Sequence, residues 1–189
     1  MNRTATFVDS LAALVWHPGT GVLIALLLAA AWIDWRTMRI PNWLTVAGMA
    51  WGLAWNATSG PSIVDGLLFG LGGLGLGFAM FLPLWLLRVL GAGDVKLMAM
   101  VGAFLGAGGV FVAALLVGMV GGIAVALFAI SHRAVRRLAG NVRDIAVSVV
   151  VPGMPLWRPG ATSIGKLPYG VSIGAGTLAF LLLRQLGYA

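Results

Sequence analysis

Six stretches of this chain run for about 15 to 25 residues with almost no charged side chain, the length at which an α-helix crosses a bilayer. Nothing else in the sequence constrains the fold as strongly. The runs lack the polar and apolar alternation of a membrane barrel, so helices are the remaining way to satisfy the backbone in lipid. Composition agrees: 60% of the residues are hydrophobic and 9% charged, too little polar surface to coat a water-soluble core. The expected fold is all-α and polytopic, a single membrane-embedded domain over residues 1–189 with six transmembrane helices.

Punctuation between the runs places the helices. Pro18 opens the first, which descends to Asp34. Pro41 turns Ile40 away from helix and starts the second at about Asn42. Asn56-Ala57-Thr58-Ser59-Gly60-Pro61-Ser62 reads as a loop, and its first three residues match a glycosylation acceptor. The third span runs from Ile63 to Leu87, with Gly66, Gly70, Gly73 and Gly77 at the spacing that lets helices approach closely. A short fourth span runs from Asp94 to about Gly106. Gly106-Ala107-Gly108-Gly109 reads as a turn, and the fifth span follows to Ile130, with Gly118 and Gly122 expected in packing contacts. Residues 131–166 form a long basic segment, expected on the cytoplasmic membrane surface. Pro168-Tyr169-Gly170 opens the sixth span.

Basic residues gather in cytoplasmic loops, which tests this count. Alternation through six spans puts Arg36, Arg39, Arg88, Lys96, Arg133, Arg136, Arg137, Arg143, Arg158 and Lys166 on one side, against Arg3 and Arg184 on the other. Both termini are therefore expected outside the cytoplasm. The net charge of +7 then reflects loops facing anionic lipid headgroups, and no aromatic and basic module suggests nucleic acid. Cysteine is absent, which excludes disulfides, thiol catalysis and a Cys-ligated zinc site.

The five acids are all Asp, so each one at a membrane edge is a functional candidate. Asp94 follows Gly91-Ala92-Gly93, a turn able to deliver its carboxylate to the start of the fourth span; as a bare N-cap it would carry no chemistry. Asp34 ends the first span on the same side. Asp65 reads as a helix-start residue and Asp144 as a partner of nearby arginines, while Asp9 lies in the polar N-terminal lead. Two carboxylates together at a partly desolvated edge tend to share one proton. That state suits peptide hydrolysis: the ionised member takes a proton from water, and the protonated member donates to the developing oxyanion. The helix ends assign the resting proton to Asp34, at a negative C-terminus, rather than to Asp94, at a positive N-terminus. Neither cofactor nor metal is required, and His17 and His132 are too far apart in this topology to build a metal site. Lys96, two residues from Asp94, falls on another helix face and reads as a headgroup or substrate contact.

Three blocks now stand in order: Asp34 with Ile40-Pro41-Asn42, then Gly91-Ala92-Gly93-Asp94-Val95-Lys96, then Lys166-Leu167-Pro168-Tyr169-Gly170. Together they resemble a type IV prepilin leader peptidase. The resemblance implies a GxGD-type aspartic endopeptidase of the bacterial inner membrane, with Asp34 and Asp94 as its catalytic pair at the cytoplasmic face. It implies prepilin or pseudopilin substrates, cut between a short basic leader and a hydrophobic helix, and pilus-assembly machinery as a partner. Larger members carry an N-terminal domain with paired cysteines, linked to N-methylation of the product. With a short lead and no Cys, this chain is expected to cleave without methylating and is similar to the peptidases of Flp-type (tight adherence) pilus systems.

Two other readings stay open at this point. A presenilin-like protease shares GxGD, but here Trp32-Ile33 precedes Asp34 and Lys166-Leu167-Pro168-Tyr169-Gly170 stands where that family has another motif. A small transporter component could use Asp34 and Asp94 as proton or cation sites.

Overall fold

The computed structural model describes residues 16–131, 133, 135–150 and 168–188. They form helices α1 (Pro18–Thr37), α2 (Asn42–Ser59), α3 (Ile63–Leu86), α4 (Ala92–Ser131), α5 (Val135–Val150) and α6 (Tyr169–Gln185), with no strand among the described residues. Helix starts follow the sequence signals. Pro18 begins α1, where its missing N–H has no intrahelical partner to lose, and Pro41 and Pro168 directly precede α2 and α6. Ser62 Oγ accepts the Asp65 N–H at 3.1 Å and donates to the Asp65 carboxylate at 2.7 Å, so Asp65 is a helix-start residue as expected.

Three helices, α1, α3 and α4, are long and apolar enough to cross a membrane. Helical segments also occupy the other expected spans, but α2 has 18 residues and α6 has 17. The 40 residues of α4 would reach about 60 Å if straight, twice the bilayer core. They fold back instead at Gly106, whose φ of 69° and ψ of 178° interrupt the helix. The leg before this corner runs along α3, with Gly73 against Gly102 and Gly77 against Met98. The leg after it descends antiparallel to α6: a Cβ on Gly109 would lie 3.5 Å from Phe180, and one on Gly121 would lie 2.6 Å from Tyr169, where α6 begins. The turn expected over 106–109 therefore shrinks to a single residue. Only glycine takes that positive φ cheaply, and the Phe69 ring lies where its Cβ would be.

The corner leaves main-chain carbonyls without their helical donors, and Asn56 supplies one. Its Nδ2 donates to the Ala103 carbonyl at 2.8 Å and the Phe104 carbonyl at 3.4 Å. This corrects one sequence expectation: Asn56 lies inside α2, which continues to Ser59, rather than in a loop.

The first leg of α4 is the centre of the molecule. From Leu97 to Gly106 every residue is buried, enclosed by α2, α3 and α6. Gly66, Gly70, Gly73 and Gly77 are buried on the face of α3 that meets α2 and this leg, as their spacing predicts. Gly118 and Gly122 do not pack: both are exposed, and a Cβ on either would meet nothing within 4 Å. The close contact falls to Gly121, one step round the helix. The basic segment expected over 131–166 contains α5, which is strongly amphipathic. Within it Asp144 pairs with Arg143 at 3.3 Å, as expected; Arg158 and Lys166 lie outside the described residues.

Candidate active site

Asp34 occupies the last turn of α1 and Asp94 the first turn of α4, and both are buried, at 5% and 8% exposure. Their main chains end one helix and begin another. The Asp34 carbonyl accepts the N–H of Met38, whose left-handed backbone (φ 52°) stops α1. The Asp94 N–H donates to the Gly91 carbonyl at 3.1 Å, closing the first turn of α4.

Each side chain then accepts a main-chain N–H at a helix start. Asp94 Oδ2 accepts from Gly91 at 2.9 Å, reaching back over its own turn in the manner of half a capping box. Asp34 Oδ2 accepts from Gly170 at 2.8 Å, across 136 residues of sequence, where the N-terminus of α6 offers its unpaired donors to an anion. Because α6 packs against both α1 and α4, it brings the two carboxylates to one end of the bundle, within electrostatic reach of each other. The helix-end argument that put the resting proton on Asp34 loses its basis, because both carboxylates sit at a helix N-terminus.

The three sequence blocks converge here. Ile40 packs on Gly93: a Cβ on that glycine would lie 3.1 Å from the Ile40 Cβ. Pro41 stands at the start of α2, and Asn42 Oδ1 accepts from Lys96 Nζ at 2.9 Å. Residues 40–42 thus form a strap across the start of α4. Lys96, read from sequence as a headgroup or substrate contact, has a partner within the chain. The two motif glycines adopt no left-handed backbone; Gly93 admits Ile40, and a Cβ on Gly91 would lie 3.3 Å from Asp94 Oδ2. Packing accounts for both glycines without a mobile turn.

From the third block, Pro168 precedes α6, and the Tyr169 ring lies 6.5 Å from that of Phe81 and against Gly121. Tyr169 also lies within electrostatic reach of Asp94. A Cβ on Gly170 would come 2.9 Å from Asp34 Oδ2 and 3.1 Å from its Cβ, so only glycine lets this N–H reach the carboxylate. Lys166 lies outside the described residues. Phe81 and Gly121 carry no motif and are recognisable only once α3 and α4 are seen to flank Tyr169. The Gly170 contact did leave a signal, since Pro168 marks a helix N-terminus and such an end attracts an anion.

No group of three His, Cys, Asp or Glu gathers among the described residues. A cavity of about 520 Å³ opens at the far end of the bundle, between His17, Trp55, Phe104 and Arg184, and neither carboxylate lines it. Burial, hydrogen bonding and the three sequence blocks converge at the other end.

A sequence model of the type IV leader peptidase family matches residues 21–127, more than half of the chain and a span that holds both carboxylates. No curated protein and no solved structure matches the chain.

Proposed function

Since this chain belongs to the type IV leader peptidase family, we propose that it is an aspartic endopeptidase of the bacterial inner membrane that removes the leader of Flp-type prepilins or pseudopilins, with Asp34 and Asp94 as its catalytic pair. One observation carries this reading: two buried carboxylates at one end of the bundle, each held through Oδ2 by a main-chain N–H. That anchorage leaves the other oxygen of each for water and substrate. The pair shares one proton. The ionised carboxylate takes a proton from water as it attacks the scissile carbonyl, and the protonated one donates to the oxygen that gains charge. As the tetrahedral intermediate collapses, the C–N bond breaks, one carboxyl gives its proton to the departing amine of the mature pilin, and the other takes back a hydroxyl proton, which restores the one-proton pair.

In the membrane, the chain makes six crossings with both termini outside the cytoplasm, counting the two legs of α4 separately. The carboxylates then lie at the cytoplasmic edge. A prepilin can leave its hydrophobic helix in the bilayer there and present the bond before it at the aqueous boundary. Pilus-assembly machinery receives the product.

The test is co-expression with candidate prepilins, followed by sequencing of the product N-terminus. Wild type should cut before the hydrophobic helix, and Asp34→Asn and Asp94→Asn should leave the leader in place. Full cleavage by both variants would reject the assignment and favour the transport reading.

A further inference from the structure

Among the described residues, helix α5 touches α4 alone. It starts where α4 ends. Gly121 lies beside Tyr169, on the side of the bundle that holds Asp34 and Asp94, and ten further residues, with Ile123, Leu127 and Ile130 exposed among them, carry the second leg of α4 about 15 Å beyond that level to Ser131. A short link follows in which Arg133 adopts a left-handed backbone (φ 52°), its N–H donating to the Ile130 carbonyl at 3.1 Å. If α4 crosses the bilayer, so short a link holds the first turn of α5 at the boundary between lipid and water.

The surface of α5 matches that boundary. Val135, Ala139 and Val142, spaced four and three residues apart, share one helical face and are all exposed. Arg136 and Arg143 border this face along one edge, while Gly140 and Asp144 lie on the far side of the helix. An open apolar face edged by arginines is the pattern of a helix lying in the plane of a membrane. The ion pair of Arg143 with Asp144 is exposed, with side chains 80% and 49% accessible, and is too weak to withhold that guanidinium from another anion. We propose that α5 is an interfacial helix that sinks Val135, Ala139 and Val142 into the acyl boundary and binds anionic phospholipid headgroups through Arg136 and Arg143. The bilayer is favoured over a protein partner because the charge along that edge is basic and because α4 delivers α5 to the membrane edge.

Absence of cysteine makes the test clean, because one introduced thiol takes one spin label. Val142→Cys reports the apolar face. Gly140→Cys reports the far side, where an added side chain meets nothing within 4 Å. The whole protein is placed in phosphatidylcholine nanodiscs with or without phosphatidylglycerol, and collisions with oxygen, which concentrates in lipid, are compared with those of a water-soluble nickel chelate. With phosphatidylglycerol, the label at 142 should favour oxygen several-fold more than the label at 140. The Arg136→Gln/Arg143→Gln pair should weaken this docking by roughly thirtyfold, the scale of two basic side chains at an anionic leaflet. Equal water access at 142 and 140 overturns the proposal. Shielding of 142 from both reagents indicates a protein contact, and docking indifferent to phosphatidylglycerol and to the Gln pair removes the headgroup claim; either result also overturns it. No substrate enters the measurement, so its outcome is independent of the peptidase reading.

Discussion

Asp94 is held by its own neighbourhood and Asp34 by a distant one. The donor to Asp94 stands three residues away in the same turn, whereas the donor to Asp34 stands 136 residues away on another helix. The first contact forms whenever α4 begins at Ala92. The second requires α6 to dock against α1 and α4 with glycine at position 170. One half of the site is therefore a local motif and the other a product of tertiary packing, so the two should fail under different perturbations. Removing the carboxylates themselves comes first: Asp34→Asn or Asp94→Asn should each lower prepilin cleavage by about 10⁴-fold, as expected where two groups act as a unit. A double variant should lose little more than either single one, read as initial cleavage rates in detergent micelles.

The next change separates the halves. Gly170→Ala places a methyl 2.9 Å from Asp34 Oδ2, so the carboxylate must move and exchange its main-chain donor for something less well placed. A shift of about 1 Å at a catalytic group can cost about 100-fold, and that is the expected fall in kcat, with helical content by circular dichroism unchanged. Gly91→Ala brings its methyl to 3.3 Å from Asp94 Oδ2, a tight contact that the exposed end of the turn can absorb. Its cost should be a few-fold. Equal losses from the two alanines would erase the distinction between local and remote support.

That distinction also explains what the sequence discloses. Asp94 is legible because its glycines, its helix start and its carboxylate lie within four residues. Asp34 gains its role only beside Asp94, through the sidedness of the helices. Its bond to Gly170 depends on which N–H of α6 comes nearest, a geometry that no spacing in the chain encodes. The corner of α4 shows the same limit. Gly106-Ala107-Gly108-Gly109 advertises a turn, but the ring of Phe69 and the amide of Asn56, both distant in sequence, make Gly106 alone the break. Small residues misled in the opposite sense at Gly118 and Gly122. A four-residue interval says that two glycines share a face, not which face finds a neighbour.

Loosening α6 should sharpen the comparison without touching either carboxylate. Gly176 sits on Val117, where an added Cβ would lie 2.5 Å from the Val117 Cα, so Gly176→Ala must push α6 away from the second leg of α4. Overpacking of this kind costs about 1 to 3 kcal/mol. Amide exchange is the measurement: protection of the Gly170 N–H should fall along with that of α6, while protection of the Gly91 N–H stays near its wild-type value. Loss at both positions would mean that the turn around Asp94 also depends on α6.

The smallest effect concerns the strap. Lys96 Nζ reaches Asn42 Oδ1 at 2.9 Å across 54 residues, and beside it Ile40 rests on Gly93. The polar contact is exposed, so water can replace it, whereas the Ile40 contact is packed against the core. Lys96→Met keeps most of the aliphatic length, removes the donor and should slow cleavage only a few-fold, the scale of one solvated hydrogen bond. Ile40→Ala opens a gap over Gly93 and should cost more. If Lys96→Met were as damaging as Gly170→Ala, Asp94 would depend on remote support as heavily as Asp34 does. If Lys96→Met and Ile40→Ala were both silent, the turn from Gly91 to Asp94 would stand by itself.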